Sequence, residues 1–138
     1  MKALFLFVVC ILLSPACFLH AQIDDRPLMK VDIPFAFTVE NARLPAGSYL
    51  IYEVQLNRIW RVSSADRKRS VLFHISAGEA RPSQAKLTFL HYPTDYVLRR
   101  IEGGNDGMVA SLSTGKRERQ LASNHLPIEE ATINAQSE

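Results

Sequence analysis

Cysteine is nearly absent from this 138-residue chain: Cys10 and Cys17 are the only two, and both fall in its first 17 residues. Whatever folds after that point has no disulfide, no cysteine nucleophile and no thiolate metal ligand. Charge of one sign is also lacking. The formal net charge is +2, with 16 Lys and Arg against 14 Asp and Glu. That balance excludes a bulk polyanion binder, so an electrostatic partner has to be met by a local patch. No apolar run reaches the roughly 20 residues that span a bilayer, and no internal repeat recurs. The length and the 47% apolar content suit one domain with a proper core. Collagen-like, coiled-coil and wholly disordered chains are excluded.

The first 21 residues read as an export segment. Met1-Lys2 gives a short positive start, Ala3 to Leu13 is apolar and uncharged, and Ser14-Pro15 breaks the run. Leu19-His20-Ala21 places a small residue before the cut, so residues 1–21 are expected to leave as a signal peptide. A competing cut before Cys17 makes lipid anchoring at that cysteine the minority alternative. The expected location is the periplasm or the extracellular space. Loss of Lys2 leaves 15 basic against 14 acidic residues, a net charge of +1.

Residues 22–30 read as a lead-in, and the β pattern starts at once beyond them. Val31, Ile33, Phe35, Phe37 and Val39 alternate with Asp32, Pro34, Ala36, Thr38 and Glu40, as one half-buried strand requires. Pro34 has no ladder donor, which points to a sheet edge. Leu44-Pro45-Ala46-Gly47-Ser48-Tyr49 then pairs turn residues with a tyrosine, the pattern of a tyrosine corner, in which the phenol bonds back to the preceding backbone. Further strands are expected at Tyr49–Val54, Arg58–Ser64, Ser70–Ala77, Ala85–Tyr92 and Tyr96–Glu102, with Met108–Leu112 as a seventh. The fold class that follows is all-β: an antiparallel sandwich or small meander barrel of six to seven short strands over residues 31–112. Residues 113–123 read as a short helix with Lys116, Arg117 and Arg119 exposed and Leu121 packed. The polar stretch 124–138 reads as a disordered tail.

Two strings, Val31-Asp32-Ile33-Pro34-Phe35-Ala36-Phe37-Thr38-Val39 and Leu44-Pro45-Ala46-Gly47-Ser48-Tyr49, follow one another just after the leader. In that order, with Lys116-Arg117-Glu118-Arg119 behind them, the chain resembles a group of small exported β-rich proteins common in acidobacteria and related soil bacteria. The resemblance spans about residues 31–120. It implies export and a β fold, and it carries over no catalytic residue.

Catalytic motifs are sparse in the sequence. His74, His91 and His125 remain after processing, but His74 has outward parity and His91 inward parity, so the two strand histidines are read as one surface and one semi-buried side chain. No H-x-H, H-E-x-x-H or Asp-rich calcium loop occurs, and no serine stands in G-x-S-x-G. Asp24-Asp25 and Glu129-Glu130 fall in the lead-in and the tail. Gly103-Gly104-Asn105-Asp106-Gly107 lacks the lysine of a phosphate loop and reads as a turn. No cofactor, metal or catalytic residue is assigned, and nucleic acid is set aside on charge.

The sharpest candidates are basic: Arg67, Lys68 and Arg69 at a hairpin, Arg99 and Arg100 in a strand, and Lys116, Arg117 and Arg119 on the helix. Convergence of two of these groups makes an anion or partner site. Trp60, Tyr92 and Tyr96 are candidates for a stacking surface beside it, or else for core. The bland reading of the cations is that they keep strand edges soluble. The function expected is a non-enzymatic envelope or extracellular interaction module engaging another envelope component. A small secreted hydrolase with a site assembled from loop residues is the alternative.

Overall fold

A computed structural model describes residues 26–55, 58–78, 84–103, 107–124, 127 and 129–137. The leader with Cys10 and Cys17, the start of the lead-in, residues 104–106 of the glycine-rich string and His125 lie outside them.

The described chain is all-β with one short helix, as the alternation requires. Eleven strands are described: β1 Met29–Ile33, β2 Phe37–Val39, β3 Ala42–Leu44, β4 Gly47–Gln55, β5 Ile59–Ser64, β6 Ser70–Ala77, β7 Lys86–Tyr92, β8 Asp95–Glu102, β9 Val109–Leu112, β10 Glu129–Asn134 and β11 Gln136–Ser137. The helix α1, Lys116–Asn124, lies between β9 and β10. The strands form one open sheet in the order β10-β7-β8-β9-β6-β5-β4-β1-β11, so the expectation of a closed barrel is corrected. The pairing is mixed: β2 pairs with β3 antiparallel and with β8 in parallel, Phe37 opposite Tyr96.

Three features explain the strand count. The expected strand 31–39 is two strands, because Pro34 cannot donate to a ladder and the chain leaves the β1 register there. β1 pairs with β4, whereas β2 crosses to β8. A two-residue turn, Glu40-Asn41, with Glu40 at φ 52°, then makes room for β3. At the other end, Glu129–Asn134 and Gln136–Ser137 are strands, which corrects the expectation of a disordered tail for this stretch. β10 pairs with β7 from Glu129 opposite His91 to Asn134 opposite Lys86, and β11 pairs with β1 at Met29 and Lys30. Backbone bonding to existing edges holds this polar segment, and side-chain periodicity does not report such bonding.

β6 changes partner midway, from β5 over Ser70–His74 to β9 over Ile75–Ala77, and both halves of the sheet close on one core. Met29, Val31, Ile33, Phe37, Tyr49, Ile51, Trp60, Val62, Phe73, Leu87, Phe89 and Ile101 are buried in it. Met29 continues the alternation of Val31, so β1 starts inside what reads as lead-in. Phe37 meets Tyr49 and Phe89 edge-on, at 5.1 and 5.5 Å between ring centroids. The tyrosine corner forms: the Tyr49 hydroxyl donates to the Pro45 carbonyl at 2.6 Å. Burial raises the pKa of this phenol, so it stays a donor.

Candidate functional site

The three basic groups occupy two separate settings. Arg99, Lys116, Arg117 and Arg119 gather where α1 meets the sheet, and Arg67, Lys68 and Arg69 form the tip of the β5–β6 hairpin.

At the helix, Arg99 owes its direction to a β-bulge. Thr88 pairs with Arg100 and Phe89 with Leu98, which leaves Arg99 as the extra residue of β8. Its guanidinium donates to the Leu112 carbonyl at 3.0 Å and to Thr114 Oγ1 at 3.1 Å, and lies 3.8 Å from the Glu118 carboxylate. Arg117 Nε is 3.5 Å from Asp95 Oδ2, which also accepts from Thr38 Oγ1 at 3.1 Å. The Asp95 side chain is fully buried. Arg119 donates to the Thr114 carbonyl at 3.0 Å.

The helix start is capped from another turn, since Asn41 Oδ1 accepts from the backbone of Lys116 at 2.9 Å. Gly115 permits this approach: a Cβ there would collide with the Glu40 carbonyl oxygen. Beneath the charges, Leu121 packs with Tyr92 and Val97. Burial raises the Glu118 pKa, opposed by Arg99, and the Tyr92 phenol is raised by burial and then by Glu118. The three arginines are matched by internal acids and carbonyls, so they make a helix lock, with Lys116 exposed beside it. Arg100 stands apart, exposed and 3.4 Å from Glu102.

The hairpin tip is different. Asp66 organises it: its Oδ1 accepts from Ser64 Oγ at 2.6 Å and from the Lys68 backbone at 3.0 Å. Those two bonds, the serine first, lower the Asp66 pKa. The Arg69 backbone donates to Ser64 Oγ at 3.0 Å. Arg67 sits at φ 58°, in the left-handed region. Residues 65–70 are all exposed. Lys68 lies 4.0 Å from Asp66 with its side chain 82% exposed. Neither Arg67 nor Arg69 makes an ion pair among the described residues.

Between this tip and the tyrosine corner runs an open groove of about 690 Å³, lined by Pro45–Ser48, Ser64–Asp66, Lys68 and Arg69. Arg67 turns to the other side, where it shares a smaller recess with Tyr52, Arg61, Ser63 and Ser70. Arg61 lies over the Tyr52 ring at 4.4 Å.

The aromatic candidates do not form a ligand platform. Trp60 and Tyr92 are buried, and Tyr96 is stacked between Phe35 at 3.9 Å and His91 at 4.1 Å. His74 is exposed and His91 half-buried, as parity requires. Among the described residues no group of three His, Cys, Asp or Glu is placed to hold a metal ion. Ser83-Gln84-Ala85-Lys86 has the spacing of a serine–lysine pair. The structure commits Lys86 to Glu102 at 2.8 Å, and Ser83 lies outside the described residues.

Sequence reasoning missed two parts of this picture. The buried Glu118 was legible from its i, i+3 spacing to Leu121. The groove carried no signal, because it depends on the corner and the hairpin meeting across β4 and β5. No family model matches the chain, and neither the curated proteins nor the solved structures contain a match to it.

Proposed function

We propose that this protein is an exported, non-enzymatic β-domain that works as an interaction module of the envelope or extracellular space, and that the β5–β6 hairpin is its contact. Arg67 is the observation that carries the reading. A non-glycine residue in the left-handed region costs about 1 kcal/mol or more relative to glycine. Arg67 takes that conformation at an exposed tip without an ion pair among the described residues in return. A conformation that costs stability at an exposed arginine supports recognition of an anionic group there. Lys68 and Arg69 add charge on the groove side, with the Ser48 and Ser64 hydroxyls beside them.

Guanidinium matches the geometry of phosphate or carboxylate groups on an envelope component, and Arg67 and Arg69 offer it on the two sides of the tip. The two halves of the sheet serve as a sandwich-like body that holds this tip in place. The leader-like first 21 residues and the likeness to small exported β-rich proteins support that location. The hydrolase alternative gains nothing from the geometry, since neither His74 nor His91 lines the groove.

Arg67→Glu with Arg69→Glu tests the proposal. Association with envelope fractions should fall by at least tenfold while the melting temperature stays within a degree or two of wild type. Equal association by the variant would remove the hairpin as the contact.

A further inference from the structure

A single C-terminal segment occupies both ends of the sheet. Glu129–Asn134 is laddered to β7, and Gln136–Ser137 is laddered to β1. Between them the Ala135 backbone donates to the Ala85 carbonyl at 2.8 Å. No residue of this segment is buried. Ala131, Ile133 and Ala135 only lean on the core, which is filled by Met29, Leu87, Phe89 and Ile101. Backbone bonding in register holds the segment, with this light packing and with Glu129 at 3.5 Å from His91.

We propose that this segment is exchanged between copies of the chain: the strand pair β10–β11 of one molecule seats against β7 and β1 of a second, and the reciprocal exchange gives a two-fold dimer. The inference stands apart from the hairpin reading. Removing the segment bares two ladders at once, an adhesive state that a sheet does not leave open. The vacated place asks for small or β-branched residues at alternate positions and an acid opposite His91. A second copy of Glu129–Ser137 meets each demand with the same register, so exchange changes no ladder bond.

The body that remains keeps its own hold. α1 stays fixed through Arg117 on Asp95 and through the Asn41 cap. The segment therefore leaves as a unit, joined to α1 by residues 125–128. Intrachain seating corresponds to an effective concentration on the order of millimolar. Crowding at a surface brings a second copy into that range.

Leu90 and Glu130 are registered partners of the β7–β10 pair, Leu90 half-buried beside the Tyr92 and Leu121 cluster and Glu130 exposed. The chain is expressed with its leader and recovered after processing, in a background carrying Cys10→Ser and Cys17→Ser. Leu90→Cys and Glu130→Cys chains are then mixed at high concentration and oxidised. The expected product is a cross-linked heterodimer, with doubled mass by sedimentation for the unsubstituted chain at the same concentration. The double variant Leu90→Cys/Glu130→Cys, oxidised while dilute, should close within one chain and lose the dimer. The proposal is overturned by monomer mass at every concentration. It is equally overturned if the mixture yields no interchain bond while the double variant closes its own.

Discussion

Arg117 Nε stands 3.5 Å from Asp95 Oδ2 at the joint of helix and sheet, and the Asp95 side chain is wholly buried. This pair, with Arg99 beside Glu118, shows what the Lys116-Arg117-Glu118-Arg119 string does. It pins a nine-residue helix that is too short to be stable alone. Its arginines are engaged by acids and carbonyls of the molecule itself, whereas Arg67 and Arg69 of the hairpin make no ion pair among the described residues.

Arg117→Ala should therefore cost about 2–3 kcal/mol. It leaves a buried carboxylate with Thr38 as its one remaining partner among the described residues, and the loss is moderated because Arg117 itself is half exposed. Lys116→Ala, one residue away and outside every ion pair among the described residues, should stay within about 0.5 kcal/mol. Urea denaturation of the two variants separates a lock from a mere run of charge.

Two glutamates should respond to pH in opposite directions. Burial raises Glu118, so its contribution to stability is present below the ordinary carboxylate range and is lost as pH rises through its folded value. Lys86 lowers Glu102 through a 2.8 Å ion pair, so that contribution is present above the ordinary range and is lost as pH falls through its folded value. From about pH 4 to about pH 7, Glu118→Gln should gain stability relative to wild type and Glu102→Gln should lose it. Urea midpoints at the two pH values test both signs.

The corner and the core give a graded series. Tyr49→Phe removes the bond to Pro45 and should cost about 1–2 kcal/mol. Phe37→Ala empties a fully buried site and should cost about 3–5 kcal/mol. Phe35 is half-buried beside Tyr96, so Phe35→Ala should cost less than Phe37→Ala. Chemical denaturation that ranks Phe35 above Phe37 would contradict the crossing of the chain at Pro34.

How much of this was legible follows from the kind of force involved. Alternation marked the inward faces of β1, β6 and β7, because burial of side chains writes itself into the sequence at period two. Leu-Pro-x-Gly-x-Tyr announced the corner, and Leu121 announced the packed face of α1. Polar β10 and β11 were illegible because backbone bonds fix them, and those bonds are the same for every residue. The break at Pro34 left the alternation intact on both sides, so one strand and two strands looked alike. For the candidate site, each cation was found, but which were neutralised was not. That depended on the Arg99 bulge and on the buried Asp95 and Glu118, which only the tertiary fold supplies.

Arg67→Gly should separate stability from recognition. Relief of the left-handed arginine should stabilise the fold by about 1 kcal/mol. The same change should weaken association with the envelope. A variant that is both more stable and equally adherent would strip Arg67 of its role.

The most direct test of the account is the fraction of protein that sediments with envelope material of the source cell across a salt series. Screening shortens the reach of charge from about 10 Å at 0.1 M to about 3 Å at 1 M. The account predicts binding at low salt that is lost over this range. Binding that holds unchanged at high salt would contradict a contact made by the cations of the hairpin.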